Sequence, residues 1–312
     1  MSDLSQPQPH AGMRLATWNI LHGESIPPRP GQKVSLGGLA DYIAAHIAPD
    51  VVGLQEADYL QPRSSDLKQV EELARLLGGW HWGFAATVHG TPGEKWRKHH
   101  KHETKHFFSH GGDANSGDIS DSGDISDSGD TSAVGVKRDP DGTESPQYGI
   151  GLISKIEVTK WHVLELGRSR IGMPLLIPVE NPKTGKPRAR FIYVKDEPRV
   201  ALAAELANGV TVAVTHLSFV PLVNFWQLWR AKRWLARLPG THILLGDFNI
   251  PVPAIVGSKK WRSLHTAKSY PSWGAKVKFD YIIADGVKAK EITALPNSGY
   301  SDHLPLVVEL IA

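Results

Sequence analysis

Nine apolar runs of five to eight residues recur along the chain, and they limit its fold more than any other feature. They are RLATWNI (14–20), DVVGLQ (50–55), YGIGLIS (148–154), RFIYV (190–194), VALAAEL (200–206), VTVAVTHL (210–217), HILLGDF (242–248), FDYIIA (279–284) and LPLVVEL (304–310). Runs of this length, bounded by turn residues, predict strands. Helical spacing lies between some of them, near 36–47, 66–77 and 222–238. Asp66 with Gln69 three residues on has the spacing of a capping box for the second helix, a carboxylate replacing the usual hydroxyl. Other runs follow one another directly. That mixture argues against a regular strand–helix alternation and for mixed sheets covered by helices.

The ends of these runs carry functional groups. In HILLGDFNI (242–250), Asp247 and Asn249 are two apart and so share one face of a strand. An acid and an amide before a proline also make an ordinary turn. The pattern repeats, however. TWNILHG ends a run with Asn19, VVGLQEAD with Glu56 and VAVTHLS with His216. Asp280 opens the run KFDYIIA, and Asp302 and His303 stand just before the last one. Singly, these are a core histidine, a helix cap or a turn; jointly they are hard to dismiss.

Composition narrows the chemistry. The 312 residues include no cysteine, which excludes disulfides, thiolate zinc sites and a cysteine nucleophile. The formal net charge of +3 gives no global signature of a polyanion binder, although a local basic patch stays open. Residues 1–12 are polar and read as a flexible N-terminus without an apolar leader core, and no apolar run is long enough to span a bilayer. A soluble, cytoplasmic protein is expected, with one domain over 13–312.

Two segments stand apart. Residues 109–147 contain SGDISDSGDISDSGD, a six-residue repeat too polar to bury a core, so a disordered insertion is expected. Calcium-binding β-rolls repeat every nine residues with paired glycines, which this segment lacks. Before it, EKWRKHHKHETKH (94–106) holds five Lys/Arg and four His. It suits a metal or a phosphate-rich partner, or a solvated arm balanced by the acidic repeat.

The six motifs together, TWN, QEAD, THLS, GDFN, KFDY and SDH in this order, resemble the endonuclease/exonuclease/phosphatase superfamily. The likeness runs from about residue 13 to 310, interrupted by the insertion. It implies an α/β (α+β mixed) four-layer sandwich, two packed mixed β-sheets flanked by helices. It implies a metal-dependent phosphoesterase that attacks a phosphodiester or phosphomonoester with an activated water. Carried over by residue, Glu56 matches the metal-binding glutamate, Asn19 a neighbouring ligand or phosphate contact, and Asp302 a support on the metal side. The ion implied is Mg²⁺ or Mn²⁺, a hard cation suited to oxygen ligands. Asp247 and Asn249 match the pair that positions the nucleophile and the transition-state oxygens. His303 matches the histidine beside the scissile phosphate, with Asp280 as its orienting partner, and His216 a second histidine that contacts phosphate or assists proton transfer. Which of Asp247, His216 and His303 is base and which acid stays open.

Some relatives carry an acid two residues after the first asparagine; here Leu21 and His22 follow, which favours one metal over two. Arg199 sits where relatives often have an arginine and is a candidate for substrate phosphate, or for a salt bridge. Tyr148 reads as a strand aromatic. The sequence LVNFWQLWRAKRWLARL (222–238) combines Phe225, Trp226, Trp229 and Trp234 with Arg230, Lys232, Arg233 and Arg237. It suits a membrane-lying helix or, as expected here, a covering helix that buries its aromatic stripe. A nuclease acting on DNA or RNA is the alternative activity, and a non-catalytic phosphoester-binding scaffold the alternative class. Six intact motifs argue against the scaffold. A monomer is expected.

Overall fold

In the computed structural model, the described residues are 10–27, 34, 36–91, 96–97, 107–111, 113–115, 145–180, 187–293 and 295–311. Strand β1 (Arg14–Asn19) is followed by helix α1 (Leu36–Tyr42), strand β2 (Val51–Tyr59), helix α2 (Gln69–Leu76) and strand β3 (His81–Gly90). Short strands β4 (Trp96–Arg97), β5 (Phe107–His110) and β6 (Asp113–Asn115) precede β7 (Gln147–Ser154) and β8 (Val158–Gly167). Strands β9 (Met173–Glu180) and β10 (Pro187–Val194) pair with each other as a separate two-stranded sheet among the described residues. Then come β11 (Arg199–Leu206), β12 (Val210–His216), α3 (Val223–Leu235), β13 (Thr241–Asp247) and a single turn, α4 (Pro253–Val256). Strands β14 (Trp261–Ser263), β15 (Asp280–Asp285), β16 (Lys288–Ile292) and β17 (Leu306–Ile311) complete the described chain.

Two mixed sheets result. The first runs β16-β17-β1-β2-β7-β3, with β4 and β5 both on β3; the second runs β14-β15-β13-β12-β11-β8-β6. Alternation along each strand builds the layers. In β1, Leu15 joins the central core with Val51 and Leu152 of its own sheet and Leu202, Val212, Leu245 and Ile282 of the other. Its neighbours Ala16 and Trp18 point the other way, onto Leu39 and Ile43 beneath α1 and Leu73 of α2. On the far side, Leu164, Leu244 and Tyr281 of the second sheet pack on Leu228 and Trp234 of α3. Strands buried on both faces are apolar over most of their length, which is why they read as runs rather than alternations. The expected four-layer sandwich is the architecture observed.

Three local expectations change. Helix α2 starts at Gln69, and no side chain caps it; Asp66 precedes it with φ 55°. The Gln69 side chain instead accepts from the Asp58 amide at 2.8 Å and donates to the His22 carbonyl at 2.7 Å, tying the end of β2 to the turn after β1. The insertion does not start at 109, because β5 and β6 pair with β3 and β8. Phe108 stacks on Tyr59 at 4.7 Å and Phe107 meets Trp161 at 5.9 Å, so apolar contacts draw this segment into the sheets. Residues 116–144, with the repeat, lie outside the described residues, as do 1–9 and most of 94–106. The N-terminal segment is anchored where it enters them: His10 is buried and the Gly12 amide donates to Leu310. Finally, α3 buries Trp234 but leaves Trp226 and Trp229 exposed.

Candidate active site

Strand register assembles half of the site. His216 pairs with Asp247 across β12 and β13, and Asp247 with Asp280 across β13 and β15. Three adjacent strands thus end with an imidazole and two carboxylates side by side, all buried. The other sheet supplies Asn19 from the end of β1 and Glu56 from a bulge in β2 between Leu54 and Ala57. A bulge re-aims a side chain that the pleat would bury elsewhere. Glu56 takes φ 58° there.

Asn19 joins the halves. Its Nδ2 donates to Glu56 Oε1 at 2.9 Å and Asp247 Oδ2 at 3.2 Å, while its Oδ1 accepts from the Leu21 amide at 3.2 Å. The implied oxygen ligation of a cation by Asn19 does not match this orientation; the amide faces the carboxylates as a donor. Asn249 likewise spends its side chain locally, donating to the Leu217 carbonyl at 3.0 Å, while its backbone amide holds Asp247 Oδ1 at 2.9 Å.

His303 comes from the loop before β17. Its Nδ1 meets Asp280 Oδ2 at 2.7 Å, and its Nε2 lies 3.8 Å from Asp247 Oδ2. Ser269 donates to the same Asp280 oxygen. Trp18 holds the His303 carbonyl at 2.9 Å, and the tilted Tyr270 ring lies 5.0 Å from the imidazole. His216 Nε2 approaches Asp247 Oδ2 to 3.6 Å.

The proton affinities diverge. Burial raises the Asp247 pKa, and nearby Asp280 raises it further against the pull of His303 and the two amides. Burial opposes charge on His303, but Asp280, by charge and hydrogen bond, and then Asp247 and Asp302, raise its pKa well above the usual imidazole value. Burial, with Arg199 and His303 adding to it, drives His216 the other way, so it is neutral. Burial raises Glu56, and Asp302 adds to it.

Among the described residues, Asp247, Asp280 and His303 form the one acid/histidine group whose candidate ligand atoms lie within 4.8 Å of one another. It is a poor cation cage, because a protonated imidazole has no lone pair and His303 is held charged. Glu56 and Asp302 offer the better set. Both are carboxylates, and the Asp302 charge raises the cost of ionising Glu56; with only oxygen donors they fit a hard divalent cation.

Arg199 is buried, 3.8 Å from Asp196 Oδ1, and its Nε has no hydrogen-bond partner among the described residues. Tyr148 is a buried strand aromatic, as expected, yet its hydroxyl lies in the field of Glu56 and Arg199. The sequence reading missed Asp58, whose carboxylate takes two hydrogen bonds from Arg63 at 2.9 and 2.7 Å, with Arg63 over the Tyr148 ring. It also missed Ser269 and Tyr270.

The profile of the Endonuclease/Exonuclease/phosphatase family matches residues 16–303, which spans every site residue named above. The chain belongs to this family. Among solved structures, an endonuclease/exonuclease/phosphatase from Beutenbergia cavernae superposes with a TM-score of 0.56 at 20% identity, over 96% of this chain and 71% of that one. A mannosyl-6-phosphatase of Bacteroides thetaiotaomicron gives 0.52 at 12% identity, over 96% and 100%. The human Nocturnin catalytic domain gives 0.51 at 15%, over 96% and 93%. At such identities these neighbours establish the family's sandwich fold for this chain. No curated protein matches it in sequence. Family members are hydrolases of phosphoesters, and the site has the acid and imidazole inventory of one.

Proposed function

We propose that this protein is a divalent-metal-dependent phosphoric ester hydrolase that cleaves a phosphodiester or phosphomonoester by attack of water. The observation that carries the reading is the buried cluster in which His303 Nδ1 meets Asp280 Oδ2 at 2.7 Å while its Nε2 lies 3.8 Å from Asp247 Oδ2, where burial and then Asp280 raise the proton affinity of Asp247. A carboxylate with raised proton affinity suits proton acceptance from water near neutral pH, and a buried imidazolium suits donation to a phosphoryl oxygen.

Each group then has a role. Asp247 takes the proton of the attacking water, oriented by the Asn249 amide and Asn19. His303 presents Nε2–H to the phosphate while Asp280 holds Nδ1. Neutral His216 offers a second donor. Arg199 supplies a guanidinium with a free Nε to the substrate phosphate. Glu56 and Asp302 hold Mg²⁺ or Mn²⁺; when bound, the cation supplies charge against the phosphoryl and leaving oxygens.

Purified protein should be assayed against DNA, RNA, sphingomyelin, inositol phosphates, a hexose 6-phosphate and a bis-aryl phosphodiester, with Mg²⁺ and in EDTA. Turnover of at least one ester, abolished by chelation and by H303A, is expected. Undiminished turnover after exhaustive chelation would refute the metal-dependent reading.

A further inference from the structure

Helix α3 has an unusual solvent face. Leu222 at its N-cap, Trp226, Trp229 and Arg233 along it and Arg237 just past its C-cap recur every three or four residues on the outward line. Leu222 is 75% exposed, Trp226 51% and Trp229 55%. A helix covering a sheet ordinarily turns polar residues outward. Here Arg230 stacks over Trp226 at 4.7 Å and Arg233 over Trp229 at 5.4 Å, so the outward line is aromatic and cationic.

The surroundings extend it. Lys232 donates to the Val256 carbonyl at 2.5 Å and Asn224 to the Asn249 carbonyl at 3.0 Å, fixing α3 beside the segment that exposes Val252 and Ile255. Gln227 holds the Gly167 carbonyl at 3.1 Å, at the start of the loop that exposes Ile171. Asn249 is a site residue, so this face adjoins the rim of the active site. Residues 206–279 contain ten Lys/Arg and one acid, Asp247, which is buried. The face therefore carries no exposed carboxylate from this stretch.

We propose that this face docks the protein on an anionic lipid bilayer, with Leu222, Trp226 and Trp229 entering the interface and Arg233 and Arg237 meeting the headgroups. Tryptophan beside arginine is the chemistry of an interfacial helix, and juxtamembrane basic residues are attracted to anionic lipid. A second copy of the chain fits poorly, because pairing would bring two cationic faces together. Single-stranded nucleic acid would stack on the tryptophans, but Leu222, Val252, Ile255 and Ile171 offer a base nothing to stack on. Docking places the catalytic rim at headgroup level, so the ester cleaved is carried at a bilayer surface; that consequence rests on the hydrolase reading, the docking does not.

The test is flotation of the full chain with vesicles of phosphatidylcholine alone or mixed with phosphatidylserine, across a salt series. Binding only to the mixed vesicles is expected, weakening as salt rises. The pair R233E and R237E should weaken it by about tenfold or more, and W226S with W229S should abolish it. Both pairs should keep full activity on a soluble bis-aryl phosphodiester. No binding to the mixed vesicles would overturn the proposal. So would binding unaffected by either pair, or binding of a single-stranded RNA oligonucleotide or self-association lost in those variants while vesicle binding is absent. Vesicle binding by a protein inactive on every ester would leave docking standing and remove the hydrolase reading.

Discussion

Replacing Asp280 with Asn isolates the electrostatic centre of the site. The exchange keeps the shape, and Ser269 can still donate to the amide oxygen, but the charge facing His303 Nδ1 at 2.7 Å disappears. A hydrogen bond to a charged group contributes about 1.5–3 kcal/mol. At about 1.4 kcal/mol per decade of rate, kcat/KM should fall about ten- to a hundredfold. Two titrations should move together. His303 loses its strongest charge-stabilising partner, so its pKa should drop, burial then dominating. Asp247 loses the neighbouring negative charge that helps raise it, so its pKa should also drop. The kinetic signature is therefore a lower rate with an acid limb displaced to lower pH, which a merely structural role would not produce.

The stability profile carries a sign of its own. His303 has a raised folded pKa, so the contribution of its charge is fully present below the unfolded value near 6.5 and is lost as pH rises through the folded value. The gap in unfolding free energy between wild type and D280N should be clear at neutral pH and close at alkaline pH. Histidine Cε1–H titration by NMR on chelated protein, with kcat/KM against pH on a soluble diester, makes both measurements. An unshifted His303 titration, or full activity with an unmoved acid limb, would refute the reasoning.

Four further outcomes are expected. E56Q keeps an oxygen for Asn19 but removes a buried carboxylate whose folded pKa is raised; the charged form costs stability as pH rises above its ordinary value of 4.5, so in EDTA the variant should match or exceed wild type near neutral pH. Its melting temperature should no longer respond to Mg²⁺, whereas wild type should gain about 2.7 kcal/mol at a hundredfold excess over Kd. G53A should cost about 1–3 kcal/mol by denaturant titration, because a Cβ there would meet Leu245 Cδ1 of the facing sheet at 2.1 Å. W234A should cost about 3–5 kcal/mol, since this ring fills the core under α3, while W226S should stay within about 0.5 kcal/mol of wild type. The fourth concerns Leu222.

What the sequence made legible follows from what each strand buries. Runs such as HILLGDF and VTVAVTHL lie between two apolar layers, so apolar residues point to both faces and the runs are visible. Strand β8, VTKWHVLELG, escapes because Thr159, Glu165 and Gly167 are exposed along it, and β3, HWGFAATVHG, because alanines and glycines fill its crowded positions. Gly83, for example, faces Trp161, whose ring a Cβ would meet at 2.7 Å. Asp247, Asp280 and His216 could be foreseen as strand-end groups, and register then brings them together. Asn19 could be foreseen as a site residue but not as a donor between carboxylates, because an amide's orientation depends on partners distant in the chain, here Glu56 and Asp247. The Arg63–Asp58 pair was hidden for another reason. A short turn with Pro62 and Ser65 at φ 63° folds Arg63 back over Asp58, and nothing in the residue types announces it.

Leu222 brings these strands of reasoning together. It has φ 69° and ψ −38°, a region that side-chain-bearing residues rarely adopt, and its side chain is 75% exposed. Two other non-glycine residues with positive φ border the site under visible restraint: Asn249 sits beside the Asp247 turn and Ser301 holds the Asn19 carbonyl at 2.6 Å. Leu222 caps α3 through its backbone alone, its carbonyl accepting from the Trp226 amide at 3.1 Å, a task that glycine could fill as well. Strain of this kind costs about 1–3 kcal/mol, while glycine adds about 0.5–1 kcal/mol of unfolded-state entropy to be lost on folding. L222G should therefore stabilise the fold by about 1 kcal/mol net. A leucine kept in solvent at the expense of stability is accounted for by a surface that takes it in, and the bilayer interface is such a surface. The same substitution should then raise the melting temperature and lower the vesicle-bound fraction, with diester hydrolysis in solution unchanged. A lower melting temperature would mean that Leu222 supports the fold, and its exposure would no longer speak for docking.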